Sequence, residues 1–114
     1  MIRRSGSLLL CVALAAVAIP ASVFAVDVDG AKMLARESNC FKCHGVDKKK
    51  DGPAWKEVAG KYRDKVDAEQ VLTKHITTGL KVKFPDGHEE DHTIVKSKNP
   101  DEIKNLVDWI LSLT

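Results

Sequence analysis

The chain has no apolar run long enough to span a bilayer. Its longest, Leu8 to Ile19, falls well short of the ~20 residues that a membrane helix needs. Arg3 and Arg4 precede that run, and Ala21-Ser22-Val23-Phe24-Ala25 follows it. A charged start, a short apolar stretch and small residues at its end are the marks of a secretory signal cut after Ala25, and the shortness of the run disfavours an uncleaved anchor. Residues 1–25 are therefore expected to be removed on export to the periplasm, leaving 26–114 as one small domain. A surplus of charge is missing too. Lys and Arg number 18 against 16 Asp and Glu, but Arg3 and Arg4 belong to the signal, and without them the two signs balance, so nothing suggests nucleic-acid binding. Residues 26–114 also lack internal repeats, low-complexity tracts, linkers and any sustained period-two alternation, which leaves an all-α domain as the expected class. Cysteine is scarce: of three, Cys11 lies in the signal, behind a Leu10 too bulky for a lipoprotein cleavage site. Cys40 and Cys43 are too close in sequence for a disulfide between them to close a useful loop. Yet a domain this small has a marginal core and usually needs a staple.

What is present is Cys40-Phe41-Lys42-Cys43-His44. Two thiols three positions apart, followed at once by an imidazole, form the attachment signature of a c-type haem: both sulfurs add to the porphyrin vinyl groups and the adjacent His ligates the iron. A covalently held haem, a large apolar disc, would be the missing staple. Two rival chemistries use the same residue types. A Cys2His2 zinc site would pair Cys40 and Cys43 with His88 and His92, but the interval between the pairs is far longer than in a zinc finger and His44 is left without a role. A thiol oxidoreductase wants its Cys-x-x-Cys at the start of a helix in a βαβ body, and the strands are missing.

The rest of the chain reads as short amphipathic helices. Asp27 or Asp29 caps a first helix through Ala31, Met33, Leu34 and Ala35 to about Asn39, in which Gly30 marks either a close helix crossing or part of the cap. Pro53 stands where a second helix begins, with Trp55, Val58 and Tyr62 on one face. Asp67 with Gln70 forms a capping box for a third helix carrying Val71, Leu72 and Ile76, which Gly79 ends. Residues 80–98 lose periodicity and form a long loop, a kind that is usually functional in so small a domain. Asn99, Pro100, Asp101 and Glu102 mark the start of a last helix whose stripe is Ile103, Leu106, Val107, Ile110 and Leu113.

With these pieces in place the chain resembles a small bacterial class I cytochrome c over nearly all of residues 26–114. The matching residues are Gly30, Cys40 to His44, the Gly52-Pro53-Ala54-Trp55 run with Val58 and Tyr62, the helix end from Ile76 to Gly79, and Leu106 to Leu113. The resemblance implies the cytochrome c fold, about four short helices around one covalent haem with the first and last crossing. It implies that the Pro53 carbonyl holds the His44 ring, that Trp55 belongs to the haem pocket, and that the protein is a monomeric electron carrier and no enzyme. One feature departs from the family. The usual distal ligand is a Met in the loop before the last helix, and here residues 80–98 contain none; after Met1 there is only Met33, on the wrong side of the haem turn.

A second imidazole is the expected substitute. His92 stands closest to the family's Met position counted back from Trp109 and is the first choice; His88 is the second and His75 the third, while Lys81, Lys83 or Lys96 would have to lose a proton first. His/His ligation should lower the haem potential relative to His/Met relatives and keep the iron six-coordinate. A dissociable distal His would instead allow nitric oxide or carbon monoxide binding, or peroxide reduction. Lys42, Lys48 to Lys50, Lys81, Lys83, Lys96 and Lys98 suggest a basic collar for an acidic or membrane-associated redox partner, interrupted by Glu89, Glu90 and Asp91.

Overall fold

The structure is a computed structural model that describes residues 13–18 and 25–114. The export signal expected over residues 1–25 falls for the most part outside the described residues. From Val26 onward the chain forms four α-helices, α1 (Val28–Glu37), α2 (Trp55–Tyr62), α3 (Ala68–Thr78) and α4 (Pro100–Ser112), with a 3-10 turn at Cys40–Lys42 between the first two. Between α3 and α4 lies a small antiparallel hairpin, β1 (Lys81–Lys83) and β2 (Glu89–Asp91).

The last helix is the hub, packing against α1, α2 and α3. Its apolar stripe, Ile103, Leu106, Val107 and Ile110, is buried, and so is Trp109. Against α1 it meets Ala31 and Ala35, one turn apart and wholly buried; these small side chains let the two backbones approach closely. The crossing is clipped at one end by Asn105, whose carboxamide accepts the Asp27 N–H at 2.8 Å and donates to the Asp27 carbonyl at 2.8 Å. At the far end of α4 the guanidinium of Arg63, which follows α2, donates to the carbonyls of Leu111 and Leu113 and closes the last turn. Trp55 at the start of α2 meets Trp109 edge-on, with ring centres 5.5 Å apart, an arrangement that adds to what burial alone contributes.

Four local expectations are refined. Asp27 caps α1, accepting from the Gly30 N–H at 3.0 Å, and a Cβ on Gly30 would overlap that capping carboxylate; the glycine serves the cap and not a helix crossing. The second helix begins at Trp55 with Ala54 as its cap, so Pro53 lies outside it and leaves its carbonyl free for another use. Asp67 sits at the N-terminus of α3 but its side chain makes no capping bond. Residues 81–91 are not simply loop. The hairpin is held by cross-strand pairs of opposite charge, with Lys81 opposite Asp91 at 2.9 Å and Lys83 opposite Glu89, and strands of three residues are too short to show an alternating pattern in the sequence.

At α4 the Asn99 side chain does accept, from the Asp101 N–H at 2.9 Å. Asn99→Ala is therefore expected to cost about 1 kcal/mol of holoprotein stability, and Asp67→Ala less than half as much, when both are compared by guanidinium unfolding.

Candidate haem site

The haem turn is made by a change of backbone hand. Asn39, at φ 58°, is left-handed and swings the chain out of α1 into the 3-10 turn. There the Cys40 carbonyl accepts from Cys43 N–H at 3.2 Å and from His44 N–H at 3.0 Å, which brings both thiols and the imidazole onto one compact loop. Lys50 ties the loop back by donating to the Phe41 carbonyl at 2.6 Å. Two further bonds, Gly52 N–H to the Cys43 carbonyl at 2.7 Å and Trp55 N–H to the Gly45 carbonyl at 2.9 Å, fold residues 45–54 under the ring of His44.

That ring is oriented twice over. Its Nδ1 donates to the Pro53 carbonyl at 2.7 Å, and its face stacks on Trp55 with ring centres 5.6 Å apart. A proton on Nδ1 leaves Nε2 as the lone-pair nitrogen, the tautomer a metal requires. Burial lowers the His44 pKa below its ordinary value, the Pro53 hydrogen bond opposes this, and the nearby His92 lowers it further. The imidazole is thus held neutral, as a ligand must be. Cys40 is unlike a redox thiol: burial pushes it up to about 11, so little thiolate exists at neutral pH, which argues against thiol exchange. Neither Cys40 nor Cys43 is in a disulfide.

Across from His44 stands His92, its ring centre 6.1 Å away. Its Nδ1 donates to the Thr93 carbonyl at 2.8 Å, which again leaves Nε2 as the lone-pair nitrogen. Two cavities, about 320 and 150 Å³, flank this pair, and both are lined by Cys40, His44, Pro53, Ile76, Val82 and His92. The larger continues between α2, α3 and α4 along Val58, Tyr62, Leu72, Leu106, Val107 and Ile110. An apolar slot bounded by two thiols and two imidazoles is what a covalently tethered haem fits. Zinc is not suited: among the described residues no three His, Cys, Asp or Glu side chains converge as a metal site.

The other candidates are placed differently. His75 projects from α3 into the larger cavity and meets His92 edge-on, ring centres 6.1 Å apart; burial, then His92 and Lys61, lower its pKa. His88 lines neither cavity. It sits at the hairpin end, stacked on Phe84 at 4.4 Å, bonded through Nδ1 to Asp86 and 3.3 Å from Glu90 through Nε2. Met33 is 57% exposed on α1 and lines neither cavity. Three contributors carry no strong sequence signal: Val82, which the hairpin brings against both cavities, Lys61 at the larger one, and Gly52. Gly52 had a faint signal, standing directly before the proline whose carbonyl is used.

A covalent double thioether beside a ligating His defines a c-type cytochrome. The chain belongs to the cytochrome c family, whose model matches residues 28–114. It is similar to cytochrome c-552 of Nitrosomonas europaea, 38% identical over 80 residues that cover 70% of this chain and 75% of that one. Cytochrome c-551 of Pseudomonas denitrificans is 35% identical, over 70% of this chain and 93% of its own. Among solved structures, the class 1 cytochrome MtoD of Sideroxydans lithotrophicus ES-1 superposes with a TM-score of 0.75 at 69% identity, covering 78% of this chain and 98% of its own. The N. europaea cytochrome c552 structure superposes at 0.57 and 35% identity, over 73% and 99%. The protein is a class I monohaem cytochrome that holds one haem c through Cys40 and Cys43, and it is an electron-transfer protein, not an enzyme.

Two outcomes follow from this geometry. A Cβ on Gly52 would lie 2.6 Å from His44 Cε1 and 3.0 Å from the Cys43 carbonyl oxygen; Gly52→Ala is expected to destabilise the holoprotein by about 1–3 kcal/mol and to shift its Soret band. His88 should titrate above the ordinary histidine range in an NMR titration, because Asp86 first and Glu90 next favour the imidazolium, while Asp86 titrates below the usual carboxylate range because His88 hydrogen-bonds it. The pairing thus favours the folded hairpin most between those two values. It fades as pH rises through the raised His88 value and as pH falls through the lowered Asp86 one.

Proposed function

We propose that this cytochrome is an exported, periplasmic one-electron carrier in which residues 26–114 form the mature domain and His44 and His92 are the two axial ligands of its haem iron. The observation that carries the ligation is the 6.1 Å between the two imidazole centres. Two imidazole nitrogens each ~2 Å from one metal put their rings about 6 Å apart. Both rings have Nδ1 committed to a backbone carbonyl, at 2.7 and 2.8 Å, so each offers Nε2. The sequence has no methionine after Met33 to compete.

Haem c supplies the redox centre, and the chain sets its properties. The Pro53 and Thr93 carbonyls orient the two ligands, the apolar lining keeps water from the slot, and imidazole in place of a thioether lowers the potential relative to His/Met relatives. With both axial positions taken by side chains, neither oxygen nor peroxide has a place to bind. Exposed Lys42, Lys48, Lys49, Lys50, Lys83, Lys96 and Lys98 border the loop and strap that carry the two histidines, and they suit a monomer that docks on an acidic redox partner in a salt-sensitive way. Among the described residues no helix is long and apolar enough to cross a membrane.

Low-temperature EPR and optical spectra of the oxidised holoprotein test the ligation. The unmutated protein should be low-spin and without the methionine–sulfur charge-transfer band, and the low-spin signal should disappear in His92→Ala while surviving in His88→Ala and His75→Ala. A high-spin signal in the unmutated protein that responds to nitric oxide would replace the carrier with a ligand-binding protein. His92→Met should raise the midpoint potential.

A further inference from the structure

His92 is carried on a strap, residues 92–99, that runs from the hairpin to α4 without helix or strand of its own. Ser97 ties its far end to Glu102 of α4 and accepts the Asn99 N–H, and three strap amides bond to the elements alongside. His92 N–H donates to the Leu80 carbonyl at 2.8 Å, and Val95 N–H to the Ile76 carbonyl at 2.9 Å; both partners lie at the end of α3 or just beyond it. The third is of another kind: Lys96 N–H donates to the Ser38 side chain, Oγ, at 3.1 Å.

Ser38 is the buried polar residue of the described core, 2% exposed, and it caps the end of α1 two positions before Cys40. Its hydroxyl therefore joins the element that leads into the thioether turn to the element that carries the opposite imidazole. Beside this contact lies a groove of about 500 Å³ lined by Met33, Leu34 and Glu37 of α1 and by Lys96 and Ser97 of the strap. Val95 anchors the strap in the core on the α3 side, whereas on the α1 side the groove leaves the space between strap and helix unfilled, so there the Ser38 hydroxyl is the contact that holds the Lys96 segment to α1.

We propose that Ser38 is the positioning residue of the distal ligand: by accepting the Lys96 N–H it sets how often the His92 strap opens away from the iron. This rests on the His44/His92 reading. Opening breaks the iron–Nε2 bond and leaves the iron's oxidation state unchanged; an added anion such as cyanide then forms the new bond to the vacated position.

Stopped-flow cyanide binding to the ferric holoprotein reads the opening directly, since cyanide enters only when His92 has left. Ser38→Ala leaves the Lys96 N–H without its acceptor and should bind cyanide about tenfold faster while remaining low-spin at rest. Ser38→Thr keeps the oxygen and should restore the unmutated rate. Asn105→Ala breaks the α1–α4 clip; Asn105 lines the same groove but bonds to Asp27 and to no strap residue, so the change should alter the rate by less than about twofold whatever it does to stability. Equal acceleration in Asn105→Ala, or none in Ser38→Ala, overturns the proposal. Amide exchange in the unmutated holoprotein gives a second readout that needs no variant: the Lys96 amide should be protected although its side chain is exposed, and exchange at the rate of a free loop amide overturns the proposal. Survival of the low-spin signal in His92→Ala removes the ligation reading and this proposal together. Its loss in His92→Ala with no effect in Ser38→Ala removes this proposal alone.

Discussion

An imidazole ligates a metal through one nitrogen only if the proton is kept on the other, and most of this fold can be understood as keeping it there. The Pro53 carbonyl fixes the Nδ1 proton of His44, and for that carbonyl to be in place the loop after His44 must turn back on itself. The turn needs the Gly52 N–H on the Cys43 carbonyl and the Trp55 N–H on the Gly45 carbonyl. It also needs a residue without a Cβ at position 52, because the ring lies against that spot. Trp55 then supports the ring from its face and rests edge-on against Trp109 in turn. A chain of contacts thus runs from the ring nitrogen to the helix that packs on the other three. Disturbing the core should therefore reach the iron, and strain at the iron should reach the core.

The haem also resolves the size problem. A domain of this length buries too little surface to be comfortably stable, and here its helices line an apolar slot rather than a filled centre. Leu72, Leu106, Val107 and Ile110 belong to the buried core and also face the larger cavity. The disc that the slot accepts completes the packing of the residues that hold it, so cofactor and core are one structure. The two thioether links make this permanent.

How much of this was legible in the sequence depended on range. Cys40 to His44 could be read because the chemistry is contained in five consecutive residues. The Asn99 cap and the stripe of α4 could be read because capping and helical periodicity are local. Asp67 has the same sequence marks as Asn99 and makes no capping bond, since the backbone around it is set by the preceding turn and not by its side chain. The hairpin escaped because strands of three residues carry no period. Ser38 escaped, and the reason for a glycine at position 52 stayed hidden, for a different cause: their roles come from what the folded chain places beside them. Ser38 meets a residue 58 positions away, and nothing in a serine at a helix end announces such a partner.

On the proposed His44/His92 ligation, the two sides of the iron are not held alike. His44 is gripped by a short loop, a carbonyl eight positions beyond its neighbour, and an aromatic face, all within the part of the chain that the thioether bonds also tie down. His92 has a carbonyl from the next residue and a strap fixed at His92 and Val95 by backbone bonds and at Lys96 by one hydroxyl. A hydrogen bond to one's own neighbour orients a ring but does not anchor it, because the two move together. On that reading, retention of the distal ligand is a property of the strap as a whole, and its loss is a local opening and not an unfolding of the helices. A carrier needs both ligands to stay through each change of oxidation state, so that little rearrangement accompanies the electron. The same scaffold with a looser strap would expose a coordination site and become a small-molecule receptor. On that reading the boundary between those two functions is drawn by the few hydrogen bonds that hold the strap, together with the residues that line the slot.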